Sequence, residues 1–362
     1  MYWLSAILIL PYFFLLLKIC RNLRKIKPFT DYSTPSSFVS VIIACRNEQE
    51  KLPALLESLS GQDYPRELFE VIIVDDNSSD KSSETASENK SQIPLMVLKS
   101  KGRGKKEAIR TGINVSKGRL ILTTDADCTM GKSWIKTVAA FFEKYSPELI
   151  ISPVQLAGTD GFFGKFQALE YLSLQGITAG SVMAGNGIMC NGANLAFTRE
   201  AYLTHMEDLH FDLSTGDDVF MLHSMKKDNN SAIMWLESSG SIVTTSASST
   251  VLSFIRQRKR WISKWRAYSD RFTIITGIFT LTAILLQLSA FVSLFFNISF
   301  IWIFLIILVL KSLPDFLILR NTTSRYGKTD LMRWFLPAQL IYPLYVMGVL
   351  LYSLVSTKEK TG

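Results

Sequence analysis

The sequence predicts an α/β domain built on a mostly parallel sheet and joined to transmembrane helices. Three observations predict this. Short β-branched apolar runs alternate with longer mixed segments between residues 38 and 154. Long uncharged runs flank that region, over residues 1–17, 272–310 and 334–357. Two pairs of aspartates close apolar runs, at the edge where open α/β sheets take their ligands. The chain has 362 residues, which allows about two domains. Hydrophobic residues make up 48% and charged residues only 19%, which excludes a disordered chain and concentrates the apolar excess in those runs.

The elements follow in order. Residues 1–17 carry no charge, and Lys18, Arg21, Arg24, Lys25 and Lys27 come directly after them. A secretory signal carries its positive charge before the apolar run, so residues 1–20 are expected to form a transmembrane anchor with the chain continuing into the cytoplasm. Residues 28–250 then form the cytoplasmic domain. Its strands are expected at Phe38–Ala44, Val71–Val74, Leu95–Leu98, Leu120–Thr123 and Leu149–Val154. Strands buried on both faces read as such unbroken apolar runs. Helices are expected over 48–60, 79–90, 104–117 and 132–144, the serine-rich stretch Ser78–Ser91 being one with a solvated face.

Residues 251–270 read as an amphipathic interfacial helix, with Phe254, Trp261 and Trp265 among basic residues. The uncharged run Phe272–Leu310 is too long for one span, so two are expected, at about 272–296 and 298–319, turning near Asn297–Ser299. Asp315 falls near the end of the second, where an interfacial position is expected. A basic loop (Arg320, Arg325, Lys328, Arg333) leads to a last span at about 335–356. Positive-inside asymmetry places that loop in the cytoplasm and both termini outside, with Lys358 and Lys360 as a weak counter-signal.

Net charge is +8, but its distribution argues against nucleic acid as a partner. Five basic residues lie between Lys18 and Lys27 and six between Arg256 and Arg266, with no acid in either stretch. The other 28 basic residues face 31 acidic ones. Both basic stretches adjoin apolar runs, as charges that contact membrane lipids do. Cys20, Cys45, Cys128 and Cys190 are widely spaced with no CxxC, which disfavours a disulfide framework or zinc site and suits a reducing compartment.

The chemistry lies in the acids and glycines. Asp75 and Asp76 close one strand, and Asp125 and Asp127 close another; either pair alone could be a turn or helix cap. Two carboxylates one residue apart, as in Asp125-Ala-Asp127, can converge on a hard cation such as Mg²⁺ or Mn²⁺ that shares its shell with phosphates. Gly102-Arg103-Gly104-Lys105-Lys106 opens a helix, where glycine lets the backbone approach phosphate and lysine supplies charge; a solvated basic turn is the plainer reading. Gly216-Asp217-Asp218 starts another helix, with one carboxylate available as a general base.

These residues together resemble the inverting family 2 glycosyltransferases, in the branch that includes cellulose and hyaluronan synthases. The stretch VSVIIACRNEQEKL resembles the family's opening strand and turn. VDDNSSD resembles its uracil-binding segment, and GRGKKEAIR its nucleotide-side helix start. TDADC matches DxD, GDDVFML resembles the catalytic-base motif with Asp217 where glutamate is usual, and QRKRW is an intact QxxRW. The order holds from about residue 38 to 265. The resemblance implies a GT-A fold, a Rossmann-like nucleotide-diphospho-sugar transferase domain. It implies that Ala44, Glu48, Asp75 and Asp76 contact the nucleoside, with Lys105 near the nucleotide. Asp125 would approach the ribose or diphosphate, and Asp127, with Asp125, the metal. Asp218 would act as base beside Asp217. Gly192, within Asn191-Gly192-Ala193, would lie on the acceptor side. Gln257, Arg260 and Trp261 would cap the diphosphate and acceptor ends. Cys45 and Arg46 depart from the usual opening motif, and no gating-loop motif follows QRKRW.

The expected protein is thus an integral membrane enzyme, in a bacterial inner (plasma) membrane with its catalytic domain cytoplasmic. It would take a sugar from a nucleotide-diphospho-sugar donor to a glycan or lipid-linked acceptor, with Mg²⁺ or Mn²⁺. A processive polysaccharide synthase and a non-catalytic membrane scaffold are the alternatives. Few spans and no gating loop weigh against the first, and the full motif set against the second.

Overall fold

The computed structural model describes residues 2–31, 33–88, 93–213 and 216–355, with side chains from Ile7 onward. Residues 89–91 of the serine-rich stretch, residues 356–357 of the last apolar run, and Lys358 and Lys360 lie outside the described residues.

In chain order the elements begin α1 (Tyr2–Leu23), β1 (Val39–Cys45), α2 (Leu52–Ser60), β2 (Phe69–Asp75), α3 (Ser82–Glu88), β3 (Leu95–Lys99), α4 (Lys105–Val115) and β4 (Leu120–Asp125). They continue with β5 (Thr129–Met130), α5 (Trp134–Tyr145), β6 (Leu149–Ile151), β7 (Val154–Ala157), α6 (Gly161–Met183), β8 (Leu195–Thr198), α7 (Arg199–His205) and α8 (Asp217–Asp228). Last come β9 (Ile233–Trp235), β10 (Val243–Ser246), α9 (Val251–Ile262), α10 (Arg271–Ser293), α11 (Ile301–Arg325) and α12 (Phe335–Val355). The chain divides into a sheet unit, Ile26–Ala157 with Gly185–Ser246, and a helical unit, Met1–Lys25 with Gly158–Ala184 and Ala247–Gly362.

The sheet unit holds a seven-stranded sheet in the order β3-β2-β1-β4-β8-β6-β9. The first four strands are parallel, β8 runs antiparallel to both its neighbours, and β9 is parallel to β6. All of β2 is buried, and all of β1 except Ala44, as their unbroken apolar sequences require. Burial of Ile42 or Ile43 contributes about 1.5–3 kcal/mol each. Helix α4 lies close on this layer because Gly112 has no side chain; a Cβ there would stand 2.7 Å from Ile42 Cγ2. The register sets the functional edge. Ala44 lies opposite Val74 on one side and Asp125 on the other, and Cys45 lies opposite Asp75. The acids of β2 and β4 therefore flank the end of β1.

The run Leu149–Val154, expected as one strand, is two. Ser152-Pro153 separates β6 in the large sheet from β7 in a second sheet of order β5-β10-β7. Proline has no N–H to give a ladder, so the chain changes sheets there.

In the helical unit, three helices among the described residues are long and apolar enough to cross a membrane: Arg271–Ser293, Ile298–Arg325 and Thr329–Val355. Helix α1 packs against α6, α10 and α11. The 23-residue α6 is the element the sequence did not announce. Buried residues occur all round it, so no apolar stripe marks it. A Cβ on its Gly180 would stand 2.5 Å from the Ile19 carbonyl oxygen, and one on Gly176 would stand 2.6 Å from Thr322 Cγ2. Those two glycines let α1 and α11 approach. Asp315 is buried among the helices, paired with Lys311 at 2.8 Å and accepting a hydrogen bond from the Tyr12 hydroxyl. Acids inside a helical bundle are retained with such partners.

Candidate active site

The site grows from the turns that end β1 and β2. Asn47 and Asn77 both take left-handed backbone, with φ of 56° each, which asparagine tolerates better than most residues. The two turns are laced together. Ser79 N–H donates to Asn47 Oδ1 (2.8 Å), Glu48 N–H to Ser82 Oγ (2.9 Å) and Gln49 N–H to Asp80 Oδ2 (3.2 Å). The polar residues after Asp76 thus fasten one turn to the other, and α3 starts only at Ser82.

Asp75 and Asp76 are both buried. Asp75 Oδ1 accepts the Ser78 N–H at 3.2 Å. Asp76 Oδ1 accepts the Gly104 N–H at 2.8 Å, and Arg46 reaches its other oxygen at 3.7 Å. Gly104 has φ +95°, a conformation that favours glycine, so the turn before α4 and the carboxylate that holds it are made for each other.

One residue further on, Lys105 Nζ pairs with Asp125 Oδ1. A Cβ on Gly192 would stand 3.2 Å from that Nζ and 3.6 Å from Asp218 Cβ, so all three residues share one spot. Asp218 Oδ2 accepts the Gly192 N–H at 3.1 Å, and its Oδ1 accepts the Val219 N–H at 2.8 Å. Asp217 and Asp218 form the first turn of α8, where the helix dipole favours negative charge. Both border a small cleft with Thr123, Gly192 and Tyr202. Burial alone would lower the pKa of Lys105, but Asp125, Asp217 and Asp218 outweigh it and raise the value above the usual lysine range. Burial, reinforced by Asp217, likewise raises the Tyr202 phenol.

Asp127 faces Lys51 at 3.9 Å and accepts from Thr245 Oγ1 at 3.4 Å. Lys51 also pairs with Glu48 at 3.2 Å. Burial next to Asp125 and Asp127 pushes the Cys128 thiol up to about 12, so it stays protonated beside them. The side chains of Asp125 and Asp127 are 38% and 28% exposed, open to a ligand. Among the described residues no three His, Cys, Asp or Glu side chains gather as a metal-binding group. Carboxylate oxygens are the donor type that a hard divalent ion takes, so Asp125 and Asp127 are the residues here that would hold one, with water and phosphate oxygens as its other ligands.

Sequence reasoning missed the residues that hold this edge in place. The Thr123 hydroxyl donates to the Gly192 and Leu195 carbonyls at 3.4 and 3.3 Å. Buried Asn194 donates to the Pro153 and Ser241 carbonyls, both at 2.7 Å, and accepts the Trp134 indole N–H at 3.0 Å. Lys106, beside Lys105, is buried and donates to the Leu209 and His210 carbonyls, both at 2.7 Å. The sequence signal for Asn194 was only its place three residues after Asn191.

Gln257, Arg260 and Trp261 stand on α9 of the helical unit. Arg260 is exposed and the other two are half-buried. The buried residue of QRKRW is Arg258, which pairs with Glu170 on α6.

Residues 40–205 match the family model for Glycosyl transferase family 2. This stretch is a family 2 glycosyltransferase domain. The match takes in the 44–48 turn, the acids of β2 and β4, Lys105 and Gly192. Poly(ribitol-phosphate) beta-N-acetylglucosaminyltransferase TarS of Staphylococcus aureus is 27% identical over 124 residues, 34% of this chain and 21% of that protein. Undecaprenyl-phosphate 4-deoxy-4-formamido-L-arabinose transferase of Serratia proteamaculans is 40% identical over 97 residues, 26% of this chain and 30% of that protein. The chain thus covers less than a third of the length of either relative. The mannosyltransferase PcManGT from Pyrobaculum calidifontis, solved with GDP-Man and Mn²⁺, superposes with a TM-score of 0.57 at 17% identity, covering 95% of this chain and 99% of that one. The family 2 domain of this chain thus has the GT-A type of α/β fold.

Proposed function

We propose that the protein is a membrane-bound, inverting glycosyltransferase that moves a sugar from a nucleotide-diphospho-sugar to a hydroxyl of a lipid-linked or glycan acceptor. The observation that carries this reading is the meeting of Lys105, Asp125 and Asp218 around Gly192, at the carboxyl edge of the parallel strands. The family 2 relatives support it by name, one acting on undecaprenyl-phosphate and one on poly(ribitol-phosphate).

In this reading Ala44, Glu48, Asp75 and Asp76 form the nucleoside end of the site, and Lys105 keeps a positive charge beside the diphosphate. Mg²⁺ or Mn²⁺ held by Asp125 and Asp127 would offset the charge that grows on the leaving diphosphate; the solved mannosyltransferase of like fold carries Mn²⁺ with its donor. Asp218 accepts the proton of the acceptor hydroxyl as that oxygen bonds to the anomeric carbon. The bond from that carbon to the diphosphate breaks, and the nucleoside diphosphate leaves with the electron pair. Attack opposite the leaving group inverts the anomeric centre. Asp217 flanks the base, Gly192 lets Lys105 and Asp218 come together on the acceptor side, and Gln257, Arg260 and Trp261 serve the diphosphate and acceptor ends.

The sheet unit is assigned to the cytoplasm of a bacterial plasma membrane, on the strength of the basic residues at 18–27 and 320–333. A panel of nucleotide-sugars, incubated with purified full-length protein and Mn²⁺, tests the activity. Release of nucleoside diphosphate from one donor is expected. A folded protein that hydrolyses and transfers from none of them would be a scaffold, and a ladder of long products would identify a processive synthase.

A further inference from the structure

Within the QRKRW run, charge alone does not tell the three basic residues apart; burial does. Arg258 is 4% exposed, while Arg260 is exposed. Its partner Glu170, on α6, is 8% exposed. Arg258 Nε donates to Glu170 Oε1 at 2.9 Å, Nη2 donates to Glu170 Oε2, and Nη1 donates to Gln257 Oε1. The Tyr345 hydroxyl on α12 donates to Glu170 Oε1 at 3.0 Å. The guanidinium carbon lies 4.3 Å from the Phe254 ring centroid and 4.1 Å from that of Trp261. Phe254, Gln257, Arg258 and Trp261 follow the i, i+3, i+4, i+7 spacing of one helix face.

We propose that Arg258, clamped by Glu170, is a positioning residue that fixes Gln257 and Trp261 for glycosyl transfer; this rests on the functional reading above. Two physical arguments carry it. A buried ion pair seldom outperforms apolar packing of equal volume, so stability is a poor account of why a charged pair stands here. A bidentate guanidinium, by contrast, is planar and fixed in direction, and it can stack on rings while its edges hydrogen-bond. Arg258 uses every one of these properties, and two of its contacts are the first and last residues of QxxRW. Arg258 itself touches no reacting group in this scheme and acts through the residues it orients.

The test compares full-length wild type with Arg258→Lys, Glu170→Gln and the double variant. The donor is the nucleotide-sugar that wild type hydrolyses in the panel, and wild-type turnover is the control for the functional reading. If wild type turns over no donor, that reading fails first. With wild type active, Arg258→Lys keeps the charge but loses the fork and the stacking plane. Its kcat is expected to fall by about ten- to a hundred-fold, the scale of a misplaced group. Affinity for the nucleoside diphosphate should fall by much less than kcat does, because the sheet-unit residues assigned to the nucleoside are unchanged and only the Gln257 and Trp261 contacts at the diphosphate end are disturbed. Glu170→Gln, which keeps the shape and the Tyr345 contact, should lose kcat similarly. The double variant should be no worse than the poorer single one, since the pair acts as a unit. If Arg258→Lys does not fold, Glu170→Gln alone carries the test. Variants with wild-type kcat per folded molecule, or losses that only track the amount of folded protein, would overturn the proposal.

Discussion

The backbone N–H of Gly192 donates to Oδ2 of Asp218 at 3.1 Å. These residues lie 26 positions apart, on the segment before β8 and on the first turn of α8. Their contact joins the proposed acceptor side to the proposed base. Lys105 lies against the same glycine, so any atom added there displaces either a cation or a carboxylate.

Gly192→Ala tests that crowding. Gly192 is not in the left-handed backbone region, so alanine meets no backbone penalty, and its methyl group would meet Lys105 Nζ at 3.2 Å. The protein should fold normally and lose about 10²-fold in kcat, as a misplaced group does. Unchanged kcat, measured with a wild-type melting profile, would show that this spot lies outside the reaction path.

The Lys105 ammonium sets a pH expectation. Its folded pKa is raised above the ordinary 10.5, because the three carboxylates outweigh burial. A lysine raised in the folded state contributes stability that is complete below the unfolded value and is lost as pH rises through the folded one. The stability difference between wild type and Lys105→Met should therefore stay flat from about pH 6 to pH 10 and shrink above that. Denaturant melts across that range read it directly. A difference that already narrows between about pH 7 and pH 9 would count against the pairing.

Much of this edge is legible in the sequence because an apolar run that ends in acid has few other readings. Val71–Val74 followed by two aspartates becomes β2, which ends at Asp75. Leu120–Thr123 becomes β4, which ends at Asp125. Gly104-Lys105 marks a helix start, and α4 begins at Lys105. What stayed hidden depends on partners far away in the chain. Four-residue β8 is too short for periodicity to mark, yet its register against β4 brings Gly192 to the site. Nothing local separates Arg258 from Arg256 or Arg260; only Glu170, 88 residues earlier, does so. Ser78 and Asp80 read as part of a helix but serve as fasteners between turns, a role that depends on Asn47 and Gln49.

The cation requirement has its own test. Chelation with EDTA should abolish transfer, and added Mn²⁺ or Mg²⁺ should restore it. Asp127→Asn should raise the cation concentration for half-maximal rate by about 10–100-fold or more, the loss typical when metal-site support is removed. Full activity in excess EDTA would remove the metal from the scheme.

The most direct measurement is made on Asp218→Asn, which keeps the size of the side chain and removes its basicity. With the donor found in the panel, both kcat and the affinity for nucleoside diphosphate are measured on the full-length protein. A loss of about 10²–10⁴-fold in kcat with affinity retained is the predicted result. Wild-type turnover in that variant would contradict the assignment of Asp218 as the base.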